Sequence, residues 1–201
     1  MYEGSDGVKK FLLNLIEKDI IFFEKVDQSN LKDVYEALSV NGNVISYLQN
    51  PTERMCELAI EQNGLALEFI KNQTEELCLK AVRQNGLALQ FVQQQTDFIC
   101  LEAVKQNPHA FFYVQEKKEA FAIQAVKGNP FLIKFIEHQT EGICLETVKR
   151  NGLLIEFVDS KFLSDRLKLL AVKQNPKAID KIKHPSNRTN RKRKRHSPFT
   201  I

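Results

Sequence analysis

The chain has 201 residues, 29 basic and 25 acidic side chains, four cysteines and no tryptophan. No apolar run approaches the roughly 20 residues of a membrane-spanning helix. The opening MYEGSDGVKKFLLNLIEK is a charged amphipathic stretch without the apolar core of a secretory signal, so an intracellular protein is expected.

Residues 1–28 read as a degenerate helical hairpin. Val8 to Val26 is amphipathic, with Asp19 near the place where later units carry Asn, and Phe22 and Phe23 near a later aromatic position. Terminal units of a repeat array are expected to be atypical, so this segment is taken as an N-terminal helical cap.

Residues 29–182 carry the dominant signal. Asn41, Asn63, Asn85, Asn107, Asn129 and Asn151 stand 22 residues apart, and Asn175 follows after 24. The next residue is always Gly or Pro: Gly42, Gly64, Gly86, Pro108, Pro130, Gly152 and Pro176. A fixed period in this range marks a repeat array. In the unit QTEELCLKAVRQNGLALQFVQQ, Leu77, Cys78, Ala81 and Val82 fall on one side of a helical wheel, opposite Glu76, Lys80 and Arg83. Thr74 suits the N-cap, with Glu75 and Glu76 in the first turn and Arg83 in the last, as the helix dipole favours. A second short helix follows Asn85 and presents Ala88, Leu89, Phe91 and Val92. The Asn is read as the hinge: it tolerates the left-handed backbone that ends a helix, and it is a good N-cap. Gly supplies similar freedom, and Pro suits the first position of the second helix.

A leucine-rich repeat is the rival for this period, but it needs an inward apolar residue five positions before the Asn. Leu58 and Leu170 fit, but Glu36, Lys80, Glu102, Gln124 and Glu146 occupy the other five, so a strand there would bury charge. The predicted fold is therefore all-α: an α-solenoid of about seven 22-residue helix-turn-helix repeats. Helices of about 11 and 8 residues are marginal alone and gain stability by stacking on their neighbours.

Cys56, Cys78, Cys100 and Cys144 share one slot in four repeats. Stacked equivalents would lie farther apart than the ~7 Å a disulfide can span, so they are read as small buried hydrophobes, in keeping with a reducing compartment. Tyr47, Phe69, Phe91, Tyr113, Phe135 and Phe157 share an aromatic slot in the second helix, and core packing is expected for them. The repeat centred on Asn107 departs from the others. Phe98 and Phe112 replace Glu76 and Gln90 at polar positions, and His109 takes an apolar one. Either Phe98 and Phe112 form a partner-binding patch, or local curvature buries them. Arg83, Lys105, Lys127, Lys149 and Lys173 form a column at the end of the first helix. Dipole complementation is the simpler account of it, and a surface for an anionic partner is the alternative. The last hairpin is two residues longer and carries Lys181 in the aromatic slot, as suits an end that meets water.

Residues 183–201 lose the pattern. The chain up to Ile182 holds 22 basic and 25 acidic side chains, whereas the last 19 residues hold seven basic and no acidic ones. A disordered basic tail is predicted there. Arg191, Lys192, Arg193, Lys194 and Arg195 suit a nuclear localisation signal, a nucleic-acid contact or merely a solubilising terminus, with Ser197-Pro198 as a possible phosphorylation switch.

The units QTEELCLKAVRQNGLALQFVQQ and QTDFICLEAVKQNPHAFFYVQE resemble the helical repeats of an uncharacterised family, a domain of unknown function abundant in mimivirus-type giant DNA viruses. The resemblance extends over about Pro51 to Ile182 through the Cys-Leu-x-Ala-Val-x-Gln-Asn-Gly/Pro core. It implies a viral repeat-array protein in an infected cell, and it brings no activity, cofactor or catalytic residue. The residues themselves offer no catalytic constellation, phosphate loop or metal-ligand spacing among His109, His138, His184 and His196. The expected function is a non-enzymatic protein-interaction scaffold without cofactor or metal. Nucleic-acid binding through the tail and the basic column is the alternative.

Overall fold

A computed structural model describes residues 31–183. The expected N-terminal cap at 1–28 and the tail residues Arg191 to Arg195 lie outside the described residues. The chain divides into two units, the first ending at Gln106 and the second beginning at Asn107. Among the described residues every element is helical.

In the first unit, four α-helices span Leu31–Val40 (α1), Glu53–Gln62 (α2), Glu75–Gln84 (α3) and Asp97–Gln106 (α4). Short 3-10 helices alternate with them at Gly42–Tyr47, Gly64–Phe69 and Gly86–Phe91. Each α-helix packs on the next, and each 3-10 helix packs on the next, so this unit is a row of stacked hairpins. In the second unit the 3-10 helices Pro108–Tyr113, Pro130–Phe135 and Gly152–Phe157 precede α5 (Glu119–Gly128), α6 (Glu141–Arg150) and α7 (Asp165–Gln174) in turn. The unit ends with α8 (Ala178–Lys183). The extra 3-10 turn Ser160–Phe162 takes up the two additional residues of the last repeat.

The first helix of each repeat forms as its sequence predicts. Thr52, Thr74, Thr140 and Ser164 cap α2, α3, α6 and α7 by accepting a backbone N–H three residues on. In α3 the buried residues are Leu77, Cys78, Ala81 and Val82, the apolar side of the wheel. The second helix is shorter and tighter than the expected eight-residue α-helix: six residues in 3-10 geometry, closed by contacts such as Ala88 N–H to the Asn85 carbonyl. Its buried positions are Gly86, Ala88 and Leu89, followed by Val92.

The corner also differs from expectation. No described residue has a positive φ. Asn63, Asn85 and Asn151 are extended, with φ between −145 and −151°. The Asn therefore works through its side chain. Asn63 Oδ1 accepts the Leu65 N–H at 3.0 Å, and Asn85 Oδ1 accepts the Leu87 N–H at 3.0 Å, which caps the 3-10 helix. The glycine beside it serves close packing rather than backbone freedom. A Cβ on Gly64 would sit 2.6 Å from the Ala81 carbonyl oxygen of the next repeat.

The aromatic slot is a further correction. Tyr47 and Phe69 remain 40% and 39% exposed in the first unit, and Phe135 remains 50% exposed in the second. The slot is the last position of a six-residue helix, and its other members, Phe91, Tyr113 and Phe157, are only half-buried. The core is built instead from the small and aliphatic positions before it: Ala66, Leu67 and Ile70, for example, and their counterparts Ala88, Leu89 and Val92.

Candidate functional site

Two polar ladders bind neighbouring repeats. The first lies at the corners. The Gly42, Gly64, Gly86 and Gly152 N–H groups donate to the Oε1 of Gln62, Gln84, Gln106 and Gln174 at 2.6–2.8 Å. Each of these glutamines belongs to the following repeat.

The second ladder runs along the far end of the hairpins, where a glutamine precedes the capping threonine. Gln73 Nε2 donates to the carbonyls of Ile70 and Phe91 at 3.3 and 2.9 Å. Its Oε1 accepts the Gln93 N–H at 3.0 Å and the Cys78 thiol at 3.6 Å. Gln139 repeats this in the second unit: Nε2 to Phe157 O at 2.9 Å, and Oε1 from Asp159 N–H at 2.8 Å and from Cys144 Sγ at 3.6 Å. Gln139 is only 4% exposed, so its amide is a buried clamp.

Among the described residues three slots break this ladder: Leu163, an apolar side chain packed on the core before the capping Ser164, and Lys117 and Pro51. At Lys117 an ammonium takes the place of the amide, donating to Phe111 O at 2.9 Å and Val114 O at 2.7 Å and lying 4.9 Å from the Phe111 ring. At Pro51 no polar side chain is present. A cleft of about 750 Å³ opens there, lined by Tyr47, Leu48, Pro51, Cys56, Phe69 and Lys71 among others.

The sequence-selected residues fall as follows. Phe98, in the first unit, is 50% exposed with the Arg83 guanidinium 5.8 Å from its ring. Phe112, in the second, is half-buried and meets Phe135 edge-on at 5.7 Å, with His109 at 6.4 Å. In the basic column, Arg83 and Lys105 both pair with Glu102, at 3.0 and 2.9 Å. Lys105 and then Arg83 hold the Glu102 carboxyl below its ordinary range. Lys127, Lys149 and Lys173 make no ion pair among the described residues.

The four cysteines are free and buried. Burial pushes the Cys56 and Cys78 thiols up, and it pushes Cys144 up to about 12. No group of three or more potential metal ligands occurs among the described residues. Nor is any of their helices long and apolar enough to cross a membrane.

Sequence reasoning overlooked both glutamine ladders. The available signal was the recurrence of glutamine at a fixed phase, including the pairing of each glycine corner with a glutamine 20 positions later at Gly42, Gly64 and Gly86 and 22 later at Gly152.

In comparison with known proteins, the family model described as Domain of unknown function (DUF4116) matches residues 53–95 and 74–117. Each match spans about two repeats, and the second is displaced by about one repeat, as a tandem array requires. Together they cover about a third of the chain, less than the extent of the resemblance read from sequence. No curated protein matches the chain. No solved structure matches it either.

Proposed function

We propose that the protein is a non-enzymatic interaction scaffold whose helical repeats hold a partner polypeptide. The observation that carries this reading is the recurrence of half-exposed rings at one slot, Tyr47 and Phe69 in the first unit and Phe135 in the second. Phe98 adds a further exposed ring, and Phe112 extends the ring contacts of Phe135. Aromatic side chains that offer area at little entropic cost are the usual anchors of protein interfaces. The second polar ladder, by contrast, is turned inward and satisfies itself. On the sequence resemblance, the setting is the interior of a cell infected by a giant DNA virus, with the basic tail as a targeting or tethering element.

Nucleic-acid binding is the alternative, favoured by the unpaired Lys127, Lys149 and Lys173 together with Arg191 to Arg195. Retention through several phosphate contacts falls steeply with salt, whereas retention on aromatic anchors does not. The test is recovery of bound partner from infected cells by the full chain, by the chain without residues 183–201, and by the Phe98→Glu/Phe112→Gln variant. The scaffold reading expects salt-resistant recovery of a protein that the double variant loses while its helical content is unchanged. Recovery that follows the tail and collapses with salt would replace it by the nucleic-acid reading.

A further inference from the structure

The cleft at Pro51 is a ladder position with its glutamine missing. The repeat register makes the comparison direct: Pro51 stands where Gln73, Gln95 and Gln139 stand in later units. The groups that meet the Gln73 amide, namely Ile70 O, Phe91 O, Gln93 N–H and Cys78 Sγ, correspond here to Leu48 O, Phe69 O, Lys71 N–H and Cys56 Sγ. All four residues line the cleft, and these four groups make no hydrogen bond among the described residues.

The set has a definite chemistry. Two carbonyls require donors, while an N–H and a thiol require an acceptor. A primary carboxamide supplies two N–H donors and one acceptor oxygen, and it satisfies all four. A carboxylate has no donor for the carbonyls of Leu48 and Phe69. An ammonium has no acceptor for Lys71, and Lys117, in such a slot, donates to the Phe111 and Val114 carbonyls. Leaving a site's polar groups unpaired once a ligand covers them is what separates a matched from a mismatched ligand.

We infer that the cleft is a binding site for a glutamine side chain delivered by a partner polypeptide, entering where the chain's own glutamine enters in other repeats. The volume, about 750 Å³, far exceeds one amide and lies in the range of ligand sites, which is roughly 300–1,000 Å³. The half-exposed Tyr47 and Phe69 at its walls offer apolar contact to the residues flanking that glutamine. This inference rests on the scaffold reading only in that the amide belongs to a polypeptide.

The experiment titrates the ¹⁵N-labelled full chain with acetyl-Ala-Gln-Thr-N-methylamide, whose glutamine holds its only primary carboxamide, following the Lys71 amide resonance. Its Ala-Glu-Thr counterpart and acetamide serve as controls, and Pro51→Gln serves as the variant whose own side chain fills the site. Saturable movement of Lys71 is expected with the glutamine peptide, at least ten-fold weaker affinity with either control, and no response in Pro51→Gln. An unmoved Lys71, an equal response to the glutamate peptide or to acetamide, or a response that persists in Pro51→Gln overturns the site. So does a Lys71 amide already as protected in the free wild-type chain as in Pro51→Gln, since the cleft would then be filled from within. None of these outcomes bears on the recovery experiment with Phe98 and Phe112, so the two ideas fail separately.

Discussion

The two units solve the same corner differently. In the first, every described corner is Asn-Gly, and the glycine N–H is handed to a glutamine of the next repeat: Gly42 to Gln62, Gly64 to Gln84, Gly86 to Gln106. The same glutamines return a bond to the preceding repeat, Gln84 Nε2 to Gln62 O and Gln106 Nε2 to Gln84 O, both at 3.3 Å. In the second unit, Pro108 and Pro130 have no N–H to give, and the residues 20 positions later are Gly128 and Arg150 rather than glutamine. Where glycine returns at Gly152, glutamine returns at Gln174. A corner and the end of the following helix are therefore one decision. Proline fixes the second helix through its own ring, whereas glycine leaves that task to its neighbour. Gly128 completes the pattern, since a Cβ there would run into the Pro108 ring.

The largest expected effect comes from placing a methyl group at a glycine corner. In Gly64→Ala the new Cβ meets the backbone of Ala81, and the cost should be on the order of 3 kcal/mol, read as a drop in the urea midpoint at unchanged slope. A stability equal to wild type would show that the corners have slack. Slightly smaller is Gln139→Leu. It strands the Phe157 carbonyl and the Asp159 N–H in a buried site and should cost about 2–3 kcal/mol.

The next prediction tests the comparison itself. Gln84→Gly alone should cost about 1–2 kcal/mol, because it leaves the Gly64 N–H without its acceptor. Combined with Gly64→Pro, which recreates the pairing of Pro108 with Gly128 but brings the same Cβ against Ala81, the loss should be smaller than the sum of the two single losses. A double-mutant cycle should then show favourable coupling of about 1 kcal/mol. Strict additivity would mean that the covariation has another origin.

The repeat, its phase, the first helix and its cap were legible because each is a local property: period, amphipathic spacing, and Thr followed by acids. The 3-10 geometry was not, because Ala88, Leu89 and Val92 suit either helix, and the choice is made by packing against the next repeat. The exposure of Tyr47 and Phe69 was hidden for a related reason. An aromatic at a regular spacing marks the core only if its helix is long enough to carry the ring inward. Phe98 was legible as a substitution at an exposed position. The cleft could not be read, because it is defined by an absence: Pro51 is unremarkable until the bonds made by Gln73 and Gln139 show what is missing beside it.

The smallest effect is a dependence on pH that separates the buried thiols from ordinary ones. Burial, with Asp159 next, pushes Cys144 up to about 12 from an ordinary value of 9.0. A raised value means that the folded state holds the proton more tightly than the unfolded chain. Below pH 9 both states are protonated, and the thiol adds no pH dependence. Between 9 and 12 the unfolded chain ionises first, so stability declines as pH rises through that window. Cys56 and Cys78 act in the same direction. Lysines and tyrosines titrate over the same range, so the measurement is a difference: the alkaline slope of the urea midpoint in wild type against that in Cys144→Ala. The wild type should lose stability more steeply above pH 9, with parallel curves below it. Curves that stay parallel to pH 12 would mean that solvent reaches Cys144 in the folded chain, and that the clamp made by Gln139 over it is open.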